Sequence, residues 1–147
     1  MRLGLDWGGA RIGVAACDRD GILAYPVETV RNDGGVMTSI RALVAQYDPI
    51  EIVMGLPTDL RGNKAGVAAR AMRKNARRVS AECNRPVRML DERLTTVTAA
   101  RRLAETGRDA RARKPLIDQA AAVAILEQAI DMEKRDGAAP GEVIDRA

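Results

Sequence analysis

Two glycines near the start of the chain constrain its fold more than any other feature. Apolar runs at residues 3–7 and 12–17 flank a turn that contains Gly8 and Gly9. Short apolar runs around such a turn are typical of a β-hairpin. The chain is therefore expected to open with two antiparallel strands.

An acidic residue lies inside the first of these strands. Because side chains alternate between the two faces of a strand, Asp6 shares a face with Gly4, away from the neighbouring apolar residues. A carboxylate buried without a partner is costly. Asp6 therefore implies either a salt bridge, for example to Arg11, or a bound cation, and the short DxGG pattern does not choose between them.

The rest of the chain alternates between strand and helix patterns. Strands are predicted at residues 21–30, 50–54 and 87–92, and helices at 36–47, 64–82, 95–105 and 115–134. Pro26 favours an irregularity or an edge position for the third strand, and Pro115 favours the start of the last helix. The pattern predicts one α/β domain over residues 1–134, with a mixed five-stranded sheet covered by helices, and a disordered tail at 135–147.

The second half of the chain is rich in arginine. Between residues 70 and 114 there are 14 Lys or Arg against five Asp or Glu. Guanidinium groups suit phosphate, so the region is a candidate nucleic-acid surface, although a merely solvated basic face is the alternative. The candidate contacts are a stripe at helical spacing and two cations in a polar loop at residues 106–113: Arg70, Arg73, Lys74, Arg77, Arg78, Arg111 and Arg113.

Several classes of protein are excluded or disfavoured by composition. The chain has no histidine, so Ser-His-Asp and Cys-His catalysis are excluded. Cys17 and Cys83 are isolated and indicate neither a disulfide framework nor a zinc site. No apolar run approaches the roughly 18 residues that cross a bilayer, and the first residues lead into a strand rather than a signal peptide. We expect a cytoplasmic protein with no membrane partner.

Two further acids lie at unusual positions. Asp118 on the last helix has Ala121, Ala122 and Ile125 on its own face, so it points towards the sheet. A buried pair with an arginine would also explain it. Asp91 and Glu92 end a strand at the sheet edge where ligands gather in α/β proteins, and only one of these two can share a face with Asp6.

Three carboxylates that converge on one sheet edge would repel one another without a cation. Oxygen ligands favour hard ions, so we expect Mg²⁺ or Mn²⁺, in a pair. With abundant arginine and no histidine, the chemistry that fits is hydrolysis of phosphodiester bonds. Sequence spacing alone does not establish that the acids converge.

Four motifs in this order resemble the YqgF/RuvX family of Holliday-junction-resolvase-like nucleases. They are residues 4–8 with 11–15, residues 55–57, residues 91–96, and Lys114 with Asp118 and residues 121–122. The resemblance implies a ribonuclease-H-like fold and a role in maturation of the 5′ end of precursor 16S ribosomal RNA, or in junction resolution by analogy to RuvC. An aromatic residue usual in the family after residue 57 is missing, and we expect Met72 or Ala76 to fill its place.

The resemblance also implies roles for individual residues. Asp6, Glu92 and Asp118 would hold the metal, with Asp91 as the alternative to Glu92. The supporting residues would be Arg93, Lys114, Arg11 and Gly8, of which the three cations would hold or neutralise phosphate. A homodimer would suit a junction with two strands to cut. The alternatives are a nucleic-acid-binding factor without catalysis and a nucleotide-binding module of the actin and sugar-kinase type.

Overall fold

The computed structural model describes residues 1–18, 23–57, 66–91, 110–138 and 141–144, with the side chains of residues 110–117 outside the description. Six strands and three helices follow one another along these ranges. They are β1 (Arg2–Trp7), β2 (Arg11–Cys17), β3 (Ala24–Arg31), α1 (Val36–Tyr47), β4 (Glu51–Leu56), α2 (Val67–Cys83), β5 (Val87–Asp91), α3 (Ala110–Asp136) and β6 (Glu142–Ile144).

The described strands form one mixed sheet in the order β3-β2-β1-β4-β5-β6. The first three strands are an antiparallel meander, while β4 and β5 run parallel to β1. β3 is an edge strand, and its register shifts next to Pro26, as the sequence predicts. The predicted α/β class is confirmed.

Each face of the sheet has its own apolar core. Leu3 and Leu5 of β1 pack with α1 and α2 in one cluster, and Val53 of β4 packs with α3 in the other. In the first cluster, Ala76 is fully buried and Met72 packs against the cluster. A small and a flexible side chain thus lie where the family usually has an aromatic residue. Helices therefore cover both faces. In the described ranges, no helix is both long and apolar enough to cross a membrane.

α3 lies directly on the central strands because two glycines make room for it. A Cβ atom at Gly4 would lie 2.6 Å from Cγ of Leu126 and 3.0 Å from the carbonyl oxygen of Ala122. A Cβ at Gly13 would overlap the carbonyl oxygen of Asp118. The hairpin glycines thus set the distance between helix and sheet.

A buried ion network fastens the other end of α3. Glu51 accepts hydrogen bonds from Nε of Arg2 at 2.7 Å and from Nε of Arg88 at 3.0 Å. Arg2 also pairs with Glu133 of α3, with 2.8 Å between Nη2 and Oε2. Because Glu51 is only 7% exposed, its charge depends on both arginines for compensation.

Several elements differ from the sequence-based predictions. The predicted five strands become six, because Glu142–Ile144 of the expected disordered tail pairs with β5. α3 begins at Ala110 rather than at Pro115. Alanine, arginine and lysine are strong helix formers, so residues 110–114 extend the helix without an apolar stripe. The third strand begins at Ala24 instead of residue 21, and the predicted helix at 95–105 lies outside the described residues.

The close approach at Gly13 predicts a large stability loss for Gly13→Ala. The added methyl group meets backbone, which cannot rotate away, so we expect a cost of about 3 kcal/mol in a urea unfolding experiment. Gly9→Ala is the matched control, because a Cβ at Gly9 meets nothing within 4 Å. An equal loss for both variants would show that the contact with α3 is not the cause.

The ion network predicts that Glu51→Gln costs about 3 kcal/mol of unfolding free energy, because two largely buried guanidinium groups lose the carboxylate that they share. Asp48→Asn removes an exposed ion pair, in which the Asp48 side chain is 84% exposed, and should cost less than about 1 kcal/mol. Thermal unfolding of both variants checks the contrast. Equal shifts would contradict it.

Candidate active site

The first part of the site is a row of residues across three strands. Asp6 of β1 is directly opposite Gly13 of β2, and Gly13 is opposite Thr29 of β3. Residues directly opposite one another point to the same side of a sheet, and Gly4 and Gly13 show that this side faces α3. Asp6 is 2% exposed, so its carboxylate is buried under the helix.

Asp118 lies above the same row. Its carbonyl oxygen occupies the space over Gly13, whose Cα is roughly 5 Å from that of Asp6 across the strand pair. The prediction that Asp118 points towards the sheet is confirmed by its half-buried position. Two acids that are 112 positions apart in the sequence therefore meet on one sheet face.

Arg11 supplies a positive charge to this pair of acids. Its Nε donates to Oδ2 of Asp118 at 2.9 Å, and it precedes Gly13 by two residues, which places it on the same face of β2. The Asp118 side chain is 14% exposed and that of Arg11 is 34% exposed. The arginine pairing considered for Asp118 is thus present, and it leaves the guanidinium partly open to solvent.

The turn between β1 and β2 is held by backbone and by Asn32. The amide of Gly8 donates to the carbonyl oxygen of Arg11 at 2.9 Å. Nδ2 of Asn32 donates to the carbonyl oxygen of Gly8 at 2.8 Å. Gly8 thus lies in a hydrogen-bonded turn that fixes where Arg11 leaves the hairpin.

Asp91, the alternative metal ligand, lies on the other face of the sheet. The register aligns Leu5 with Met54 and Met54 with Met89, and Asp91 follows Met89 by two positions. Leu5 packs against α1 and α2, so Asp91 belongs to their side. It is 7% exposed and borders a cavity that Leu56, Glu142 and Met132 also line.

Several predicted site residues cannot be located. Glu92 and Arg93 lie outside the described residues, as do the side chains of Lys114, Arg111 and Arg113. Within the ranges that the structure describes, no group of three His, Cys, Asp or Glu residues could hold a metal ion. Asp6 and Asp118 offer oxygen ligands only, which suits Mg²⁺ or Mn²⁺, and the expected third ligand, Glu92, lies beyond those ranges.

The basic stripe lies on the opposite side of the sheet from Asp6, because α2 packs in the same cluster as Leu5. Arg73 pairs with Glu142 through two hydrogen bonds of 2.8 and 3.2 Å, and Arg78 pairs with Glu82 at 3.2 Å. Four cations of the stripe are exposed: Arg70, Lys74, Arg77 and Arg78. The stripe and the acids therefore do not share one surface.

Sequence analysis missed two polar residues of the site. Nε2 of Gln119 donates to Oγ1 of Thr29 at 3.1 Å, next to Asp118 and in the row of Asp6. Neither residue belongs to a motif. Their only signal is position, since Gln119 follows Asp118 and Thr29 lies across from Gly13.

A family model and individual relatives each match most of the chain. The family described as "RuvX: Holliday junction resolvase" matches residues 1–132. A protein of Cutibacterium acnes, provisionally named a pre-16S rRNA nuclease, is 52% identical over 89% of this chain and 82% of its own length. One of the same name from Streptomyces coelicolor is 47% identical over 98% of this chain and 87% of its own.

The fold has a counterpart among solved structures. RuvC of T. thermophilus, determined in complex with a Holliday junction substrate, superimposes with a TM-score of 0.61 and 16% sequence identity. The match covers 96% of this chain and 98% of RuvC. The mixed sheet with helices on both faces is thus the ribonuclease-H-like fold, as expected from the sequence.

Proposed function

Since the chain belongs to the RuvX family of nucleases, we propose that it is a metal-dependent endonuclease that processes the 5′ end of precursor 16S ribosomal RNA. The observation that carries the proposal is the meeting of Asp6 and Asp118 on one face of the sheet, beside Arg11. The relatives from Cutibacterium acnes and Streptomyces coelicolor are named for pre-16S rRNA, which supports this substrate.

In this proposal three acids hold the metal: Asp6, Asp118 and Glu92. Asp91 lies on the other face of the sheet, and strand side chains alternate, so we assign the third position to Glu92. A bound pair of Mg²⁺ or Mn²⁺ ions would activate water and stabilise the attacking and leaving oxygens.

The residues around the acids prepare the site for a phosphate group. Burial fixes the Asp6 carboxylate, and the contact over Gly13 fixes the backbone of Asp118. The partly exposed guanidinium of Arg11 balances the charge of Asp118 and can also donate to a phosphate oxygen. Arg93 and Lys114 would add positive charge, as the family resemblance implies.

A second candidate substrate is branched DNA. The acids and the exposed cations of α2 lie on opposite sides of the sheet, and a nucleic acid with several arms can contact both sides. The family description names this activity. The homodimer expected from the sequence belongs to this candidate, because two related sites would cut two strands.

The proposed site predicts that Asp6→Asn, Glu92→Gln and Asp118→Asn each lower the cleavage rate at least about 100-fold, because each removes a negatively charged ligand. Cleavage of a precursor 16S RNA fragment and of a four-way DNA junction, each with Mg²⁺ and with Mn²⁺, measures the effect. The faster substrate identifies the physiological class.

Asp91→Asn is the matched control and should retain cleavage, because its side chain lies on the opposite face. Loss of cleavage in Asp91→Asn but not in Glu92→Gln would reverse the assignment. If Asp6→Asn leaves every activity intact, the protein is a binding factor without catalysis. ATP affinity would instead favour the nucleotide-binding module.

The stripe on α2 predicts a binding affinity that falls steeply with salt, because contacts between arginine or lysine and phosphate release counterions. Lys74→Gln should reduce the slope of log affinity against log salt concentration by about one. Lys134→Gln removes an equally exposed lysine from the end of α3 and serves as the control. An unchanged slope in Lys74→Gln would show that the stripe is not part of the binding surface.

A further inference from the structure

The row beneath α3 contains a gap between two polar side chains. Thr29, Gly13 and Asp6 are successive cross-strand neighbours on β3, β2 and β1. They present a hydroxyl, an empty position and a carboxylate to the helix. The backbone of Asp118 and Gln119 enters this empty position, where a Cβ at Gly13 would lie 2.9 Å from the amide nitrogen of Gln119.

Two side-chain contacts hold this turn of α3 from different directions. Gln119 donates to Thr29 on β3, with 3.1 Å between Nε2 and Oγ1, while Asp118 accepts from Arg11 on β2 at 2.9 Å. Neighbouring side chains of a helix leave its axis about 100° apart. The two contacts therefore resist both rotation of the helix and sliding along its axis.

The contact between Gln119 and Thr29 is built into the packing. Both residues are half-buried, so the bond is partly shielded from competing water. It joins residues 90 positions apart, one on an edge strand and the other beside Asp118. If it is removed, the orientation of Asp118 depends more on Arg11, and Arg11 is the group that an incoming phosphate would attract.

We propose that Gln119 and Thr29 form a positioning pair, which holds the Asp118 carboxylate beside Asp6 in the geometry that a divalent ion requires. The proposal rests on the proposed function. The pair acts through Asp118 and leaves Arg11 able to turn towards a phosphate oxygen. Hydrogen bonds that orient metal ligands commonly change metal affinity or activity by about 10- to 100-fold.

Calorimetric titration of the full chain with Mn²⁺ tests the pair. Gln119→Met and Thr29→Val remove the same hydrogen bond from opposite ends at nearly constant volume. We expect each to raise the dissociation constant for Mn²⁺ about tenfold, and to raise the Mn²⁺ concentration for half-maximal cleavage without changing the KM for nucleic acid. Thr29→Ser keeps the hydroxyl and should restore the wild-type values.

Gln128→Met makes the same chemical change nine positions along α3 and should leave Mn²⁺ affinity unchanged. Gln119→Met alters α3 and Thr29→Val alters β3. If thermal unfolding shows that one of them does not fold, the Mn²⁺ affinity of the other still tests the proposal. Wild-type Mn²⁺ affinity in the folded variant, or failure of Thr29→Ser to restore it, overturns the positioning role. If Asp118→Asn also binds Mn²⁺ and cleaves normally, the proposed function fails instead.

Discussion

The contact between the backbone of α3 and the strands of the first hairpin is the constraint on which the rest of the structure depends. Side chains normally separate a helix from a sheet. Gly4 and Gly13 remove that separation, and Ala122 adds little bulk on the helix side. As a result, Asp118 of the helix and Asp6 of the strand lie on the same face of the sheet. Small residues here decide which side chains the helix and the sheet bring together, as well as the packing of the core.

Charge holds α3 at both ends, in two different ways. Near its C-terminal end, Glu133 joins a network in which Arg2 and Arg88 surround a buried glutamate. At the end that carries Asp118, the guanidinium of Arg11 contacts the Asp118 carboxylate and remains partly exposed. The first arrangement is the more buried of the two, since the side chains of Arg2, Arg88 and Glu51 are 16%, 15% and 9% exposed. In the second, the side chain of Arg11 is 34% exposed, so water competes more strongly for its guanidinium.

Much of this arrangement follows from local sequence. Alternation along β1 is enough to place Asp6 and Gly4 on one face, and helical periodicity is enough to point Asp118 towards the sheet. Asp91, however, lies on the opposite face of the sheet from Asp6. Which face it occupies depends on how β5 is aligned with β4 and β4 with β1, and this alignment is set by which strands pair. For this reason the local sequence pattern does not decide whether Asp91 or Glu92 shares a face with Asp6.

Other features could not be predicted because their causes are tertiary. Gln119 and Thr29 are ordinary polar residues whose hydrogen bond spans 90 positions. β6 has only three residues, too few for a periodic signal, and its stability comes from β5 and Arg73. The early start of α3 is a different case, since helix propensity without amphipathic spacing was present in residues 110–114.

The short strand β6 has a consequence for the behaviour of a truncated chain. Glu142–Ile144 covers part of β5, and Glu142 neutralises Arg73 on α2. A chain that ended before Gly141 would expose the hydrogen-bonding groups of β5 as a template for strand addition by other molecules. It would also lack the carboxylate that pairs with Arg73 on α2. Loss of a few C-terminal residues would therefore promote self-association and indiscriminate attraction to polyanions together.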